Sequence, residues 1–573
     1  MRRVLFFALN VMTVAGLFAA MVVMMAMGGL TPAEGVMLFA YLLTLPWLSI
    51  GFWNGVIGFI IALRAKNPAA FVNPAATRAD GSAPITARTA IAMAIRNEDV
   101  DTVVDRLEAM HLDLVRSGWG SRFAFHVLSD STDPAIIAAE EKAIAKWQGR
   151  ASSVTPIHYR RRTSNEGFKA GNIGAFCAAH HSEYDFFLPL DADSRMSAKA
   201  ILRLVRIMQA SPEIGILQGL VVGSPSKTFF TRAFQFGMRH GMRSYTLGAA
   251  WWQGDCGPFW GHNAVIRIKA FHEHCRLPVL PGKGPLSGHI MSHDQVEAVL
   301  MRRAGYEVRV LAEEDESFEE NPPSLPDFIK RETRWCQGNM QYLKLLGRNL
   351  PDLKPTSRVQ LMLAILMYVN GPAWFLFITA GAAMAAFTDQ FGSIPLAYGL
   401  GLFAVIMLFN LTPKLMGMAQ SFWQRPVAET YGGRIRIVAG LIGEFLFSTL
   451  IAPCVALAIT ICCMGLFLGK RIKWDAQQRS RTYLSLREAA RTLWPQTLYG
   501  LTLLAVLGTL APWALMFGCL IVAPLCLAIP LATGSTLPAL GRKTRHWGLF
   551  DIPEDRAARL PALLEEPAAA QAA

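Results

Sequence analysis

Cysteine pairs at metal or redox spacing are missing from this 573-residue chain: its nine cysteines are scattered and none forms a Cys-X-X-Cys unit. A zinc ribbon and a disulfide framework are thereby excluded as organising devices. His272, His274 and Cys275 lie close together, but two histidines on a loop without a distant partner pair read as surface decoration rather than zinc ligands. Charge is also scarce. Only 17% of residues are charged against 52% hydrophobic, too apolar for a purely soluble protein, and the length exceeds one ordinary domain. Residues 85–355 show the opposite lack, with no window long and apolar enough to cross a bilayer.

The apolar residues are concentrated elsewhere. Residues 3–28 and 36–63 each supply the ~20 apolar residues that a spanning helix needs. No convincing small-residue cleavage site precedes Thr31-Pro32, so both read as retained transmembrane helices and 1–66 as an N-terminal membrane unit. Residues 359–386, 394–412, 437–468 and 497–533 are apolar again, within a C-terminal membrane region at 356–548. Pro453 permits one long span or two short ones, and Pro512 permits a hairpin. Arginines and lysines flank the spans at Arg2 and Arg3, Arg64 and Lys66, Lys414 to Arg436, Lys470 to Arg491 and Arg542 to Arg545. Such loops stay cytoplasmic. Because the loops on both sides of 437–468 are basic, that segment should cross an even number of times or re-enter, which favours about eight crossings. Both termini and the region 85–355 then face the cytoplasm. The net charge of +13 follows from this bias and from attraction to the lipid bilayer, and it calls for no nucleic acid. Residues 549–573, rich in Ala, Pro and Glu, read as a disordered tail.

The region 85–355 alternates apolar strands with amphipathic helices. Strands are expected at Ala90 to Ile95, Phe123 to Leu128, Val154 to Tyr159 and Phe186 to Leu190, with helices to about Ser117 and over 135–147. This is an open α/β pattern, in which ligands collect at the carboxyl ends of strands. Polar clusters stand at those ends: Asn97-Glu98, Asp130 and Asp191-Ala192-Asp193. Side chains at i and i+2 of an extended segment share a face, so Asp191 and Asp193 offer paired hard oxygens suited to Mg²⁺ or Mn²⁺ on a diphosphate. A solvated turn explains the triplet equally simply, and Asn97 and Asp130 also read as helix caps.

Five motifs occur together in order: Asn97-Glu98, Asp130, Gly167-Phe168-Lys169-Ala170-Gly171-Asn172, Asp191-Ala192-Asp193, and Asp294 followed by Arg334-Trp335. The set resembles glycosyltransferase family 2, whose processive membrane synthases carry a GT-A type catalytic domain. The resemblance implies a GT-A glycosyltransferase domain inserted in a polytopic α-helical membrane protein. Trp260-Gly261-His262-Asn263-Ala264, Ser292-His293-Asp294 and Arg334-Trp335-Cys336-Gln337-Gly338-Asn339 resemble the branch that builds β-1,2-linked osmoregulated periplasmic glucan from UDP-glucose. Two departures from cellulose and hyaluronan synthases support that branch. Arg331 stands where they carry the Gln of Gln-X-X-Arg-Trp, and Ser292-His293-Asp294 stands where they carry Thr-Glu-Asp.

The resemblance assigns roles to these positions. Asn97, Glu98 and Asp130 would contact uracil and ribose, Asp191 and Asp193 would hold Mg²⁺ (or Mn²⁺), and Lys169 and Arg334 would meet phosphate. Asp294 would be the general base of an inverting transfer, and it also reads as the cap of a helix over 295–304. Trp335, His262 and Asn263 would bind the acceptor glucan, although a tryptophan here equally suits a core. Residues 224–250, rich in Phe and Arg, read either as an interfacial amphipathic helix or as a helix packed on the sheet. The loop 469–496 would gate the nucleotide site. Periplasmic glucan-processing proteins and acyl carrier protein are partners that the resemblance alone implies, and export of the glucan through the same chain is a further expectation.

Overall fold

The computed structural model describes residues 1–557 apart from 80, 152, 351, 389–394 and 473–482. The parallel half of its sheet comprises β1 (Thr89–Ile95), β2 (Phe123–Ser129), β3 (Ile157–Arg161) and β4 (Phe186–Asp191). Helices Val100–Arg116 (α3), Pro134–Arg150 (α4) and Phe168–His180 (α5) connect these strands, numbered after the apolar helices Arg2–Ala26 (α1) and Pro32–Arg64 (α2). Every residue of β2 and all but one of β1 are buried. Strands covered on both faces lose alternation, which is why they read as continuous apolar runs. The third strand begins at Ile157 rather than Val154, which stays exposed in the preceding turn.

The second half comprises β5 (Arg195–Met196), α6 (Ala198–Gln209), β6 (Ile214–Gly223), α7 (Phe229–Gln253), β7 (Ala264–Arg267), α8 (His293–Arg303), β8 (Glu307–Glu319) and α9 (Leu325–Met340). Strand order is β3-β2-β1-β4-β7-β6-β8-β5, with β7 antiparallel to both neighbours. This mixed sheet with helices on its faces is the GT-A type arrangement. Register decides what meets at its edge. Ile95 lies beside Ser129, and Ala94 beside Asp191. The residues following β1 and β2 and the last residue of β4 therefore emerge together, joined by the start of antiparallel β7 and the end of β8.

The apolar helices are α1, α2, Pro355–Phe387 (α10), Leu396–Trp423 (α11), Arg434–Phe467 (α12), Leu486–Leu510 (α13), Pro512–Cys526 (α14) and Ala528–Gly534 (α15). Among the described residues six are individually long and apolar enough to cross a membrane, and the pair α14–α15, bent by 62°, can add a seventh. The break at Ala511 makes 486–526 a hairpin, in which Gly500 lies against Leu525 and Cys526. Near one end of the helical layer Phe6 of α1 stacks on Trp252 at 4.7 Å. At the other, Met21, Leu45, Met384 and Leu402 cluster.

Helix α12 is continuous through Pro453, yet it returns to the sheet domain. Toward its middle Phe447 packs on Phe229 and Phe230 of α7, and near its end Cys463 Sγ lies 3.5 Å from Cys336 Sγ of α9. The six or seven spans among the described residues stand close to the roughly eight crossings expected, and this helix is one of them.

The aromatic-basic helix α7 is sandwiched between sheet and apolar helices, and its arginines are spent within the protein. Arg232 is fully buried and pairs with Asp551 at 2.7 Å and Asp555 at 2.9 Å. Arg239 pairs with Glu314 at 2.6 Å and Glu554 at 2.5 Å. A helix with its cations paired in this way packs against protein rather than presenting a charged face to lipid. The same contacts correct the expectation of a free tail from residue 549: Phe550, Asp551, Ile552 and Asp555 are buried, and only 558–573 lie outside the described residues. Glycine sets how closely α7 approaches α2, since a Cβ on Gly248 would overlap the carbonyl of Asn54.

Candidate active site

The carboxyl ends of β1 and β2 are tied together first. The Asn97 carboxamide oxygen accepts from the backbone N–H groups of Thr132 (3.0 Å) and Asp133 (3.2 Å), while the Asn97 backbone N–H donates to Ser131 Oγ at 2.7 Å. Asn97 and Glu98 line an open cavity of about 710 Å³ between α3 and α4, together with Asp99, Asp101, Lys142 and Lys146. Asp130 is buried and held from the segment after β3. Arg162 donates to both of its oxygens at 2.8 and 2.6 Å, and Asn172 adds a third hydrogen bond at 2.9 Å. Asn165 donates to its backbone carbonyl. Arg162 was not legible beforehand, because one arginine in the run Arg160-Arg161-Arg162 carries no distinguishing signal.

Asp191 ends β4, and Asp193 follows on the turn and is buried. Lys169, in the first turn of α5, pairs with Asp191 and donates a second hydrogen bond to the Gly261 carbonyl at 2.9 Å. Gly261 has φ of +85° and sits where Lys169, His293 and Asp294 converge, each within 4 Å of where its Cβ would stand. The structure therefore brings Lys169, Asp191 and Asp294 to one cleft from three distant stretches of chain.

Glu319, at the end of β8, joins the acidic side of that cleft. Burial pushes its carboxyl above the ordinary range, and the charges on Asp193 and Asp191 add to this against His262 and Arg331. Its charge-coupling to both aspartates marks a locally anionic spot, as a hard divalent cation requires. No group of three or more His, Cys, Asp or Glu side chains is arranged around a metal position among the described residues. Asp191 and Asp193 would thus supply only part of a coordination sphere, the remainder falling to phosphate and water. His262 is largely buried, with Nε2 3.4 Å from Glu319 and Nδ1 3.1 Å from Asn263 Oδ1. Asn263 is wholly buried and donates to Ser317 Oγ at 2.9 Å, so its carboxamide braces the cleft wall.

Asp294 lies in the first turn of α8 with part of its side chain accessible. Burial pushes its carboxyl above the ordinary value; His293 and the Gln295 N–H oppose the shift, while Glu297 reinforces it. Helix α9 fixes the start of α8. Gly338 lies so close to Ser292 that a Cβ there would stand 2.7 Å from the Ser292 nitrogen, and Tyr342 donates to the Ser292 carbonyl at 2.7 Å. On the same helix Arg334 is buried. Trp335 is 45% exposed, with the Arg331 guanidinium 4.5 Å from its ring centroid, so the ring is not a core residue.

Residues 186–468, from β4 to the end of α12, match the family described as Glycosyl transferase family group 2. The glucans biosynthesis glucosyltransferase H of Pseudomonas entomophila (strain L48) is 36% identical over 528 residues, 89% of this chain and 61% of that protein. The protein of the same name from Pseudomonas aeruginosa (strain UCBPP-PA14) is 36% identical over 526 residues, 89% of this chain and 60% of its own. The chain spans about three fifths of the length of these relatives. Among solved structures, the mannosyltransferase PcManGT from Pyrobaculum calidifontis, in complex with GDP-Man and Mn²⁺, aligns over 66% of this chain and 99% of its own, at 13% identity and a TM-score of 0.41. Over residues 186–468 the chain thus matches the glycosyl transferase family group 2 model, and over 89% of its length it is similar to the glucans biosynthesis glucosyltransferase H proteins.

Proposed function

We propose that this chain is a processive, inverting glucosyltransferase that polymerises glucose from UDP-glucose into a β-1,2-linked glucan at the bacterial inner membrane. The observation that carries this reading is the convergence of Lys169, Asp191 and Asp294 around Gly261, beside a helix presenting Trp335. The positive-inside pattern of the flanking loops supports a cytoplasmic orientation for the sheet domain and both termini.

In this reading, Asn97, Glu98 and Asp130 take the uridine, with Arg162 keeping Asp130 oriented. Lys169 exchanges Asp191 for the diphosphate when donor binds, and Arg334 supports the phosphates. Asp191 and Asp193 hold Mg²⁺ or Mn²⁺, which when bound neutralises charge on the departing UDP. Asp294 accepts the proton of the attacking acceptor hydroxyl as the new C1–O bond forms and the bond from C1 to the UDP oxygen breaks. Attack opposite the leaving group converts the α-linked donor into a β-linkage. The accessible face of Trp335 supports the acceptor sugar ring, and His262, braced by Asn263, lines the acceptor side. The apolar helices against α7 and α9 would carry the polymer outward.

The test is incubation of the lipid-reconstituted protein with UDP-glucose and Mg²⁺, followed by linkage and size determination by NMR and mass spectrometry. A β-1,2-glucan supports the proposal. A β-1,4 polymer moves the protein to the cellulose side, a single glucosyl-lipid indicates a polyprenol-phosphate sugar transferase, and no product at all favours a non-catalytic membrane scaffold.

A further inference from the structure

Beside Asp294 the structure holds a buried pair to which the proposed reaction has so far given no role. His293 opens α8, and its Nδ1 lies 2.8 Å from Glu297 Oε2, one helical turn on. Both side chains are largely buried, at 11% and 4% exposure, and Glu297 pairs with His293 there. A buried carboxylate retained in this way needs a cation or a strong donor against it. The opposite edge of the pair faces the cleft: the His293 Cε1 atom is one of the three groups that converge on Gly261, with Lys169 Nζ and Asp294 Cβ.

We propose that His293 is a positioning residue for Asp294, anchored through Nδ1 to Glu297 so that its imidazolium holds the neighbouring carboxylate ionised and oriented toward the acceptor hydroxyl. The inference rests on the reading of Asp294 as the proton acceptor. The groups facing the pair are Lys169 and Cys177 from α5, Cys275 from the segment after β7, Tyr342 from the turn after α9, and Asp294 on α8 itself. Burial works against a charged His293, but Glu297 outweighs it and raises the ring's affinity for its proton. The sign at Asp294 follows. A cationic His293 offsets part of the rise caused by burial, and without it the remaining charge of Glu297 adds to that rise.

Two measurements on the full chain in lipid nanodiscs test this. In the first, ¹³C-histidine NMR, with the His293 signal assigned through His293→Gln, follows its ionisation against pH. The ring should remain protonated at pH 7 in the parent protein and become neutral there in Glu297→Gln. In the second, rates of UDP release from UDP-glucose are recorded from pH 5 to 9, with donor binding measured separately. His293→Gln should bind donor unchanged, lose kcat about tenfold and move the acidic limb of the rate profile upward by about one unit, the shift expected when an opposite charge nearby is removed. A neutral His293 at pH 7 in the parent protein, an unmoved acidic limb, or equal loss of donor binding and kcat would overturn the proposal. Failure of the parent protein to release UDP overturns the catalytic reading together with this one, whereas normal turnover with an unmoved limb overturns this one alone.

Discussion

Lys169 and Asp191 are ion-paired across the cleft, and the same ammonium donates to the Gly261 carbonyl at 2.9 Å. The lysine is therefore held at the position where the proposed donor's diphosphate would arrive, on the strand end that carries Asp191. Lys169→Met should lower kcat/KM for UDP-glucose by roughly 10²-fold, the scale seen when one preorganised charge-stabilising donor is removed. Steady-state UDP release decides it, and an unchanged value would place Lys169 outside the phosphate path.

Asp294 acts as a base only when ionised, and its carboxyl is pushed upward by burial. Sugar transfer should accordingly fall on the acidic side at a pH above the ordinary aspartate value of about 3.9. Asp294→Asn should abolish that limb together with transfer while leaving donor affinity within about threefold, since the carboxamide keeps the shape but not the basicity. Retained synthesis in this variant would sink the assignment.

Trp335 is held on one side by Arg331 and is open on the other. Trp335→Ala should shorten the products, read as the mass distribution of the glucan, with little effect on binding of UDP-glucose. A change confined to donor binding would move Trp335 to the nucleotide side.

Arg232 is buried between Asp551 and Asp555 and anchors the chain beyond the apolar helices to α7. Replacing it by alanine leaves two buried carboxylates without their partner, at a cost of about 3–5 kcal/mol. Thermal unfolding in detergent should show the loss, and limited proteolysis should open the segment around residues 549–556.

Cys336 and Cys463 provide a direct check on the course of α12. With Sγ atoms 3.5 Å apart, mild oxidation should link the peptides of α9 and α12, detectable by mass spectrometry and absent in Cys336→Ser. If α12 instead carried its end to the far side of the membrane, no such link would form.

Much of the fold was legible because its signals are local. β1, β2 and β4 are buried on both faces and so appear as unbroken apolar runs, while long uncharged stretches mark the membrane helices. The sheet's second half was harder to read. β7 is four residues long, and β8 runs through the acids Glu313 to Glu319, whose pairing with Arg203, Arg239 and His262 no local pattern reveals. α12 reads as a span from its composition, whereas its contacts with α7 and α9 join segments far apart in the chain and leave no local signal. The arginines of α7 left both an interfacial and a sheet-packed helix open, because their acidic partners lie as many as 323 residues away in the chain.

The sequence by itself determined the division into apolar helices and an α/β domain, and it determined which side chains could perform the chemistry, since hydrophobic periodicity and residue type are properties of short stretches. The tertiary structure alone decided that Lys169, Asp191, Gly261, His293 and Asp294 share one cleft and that Arg162 holds Asp130. These relationships depend on strand register, close helix approach and burial. All three are set by the packing of segments far apart in the chain, so no local pattern records them.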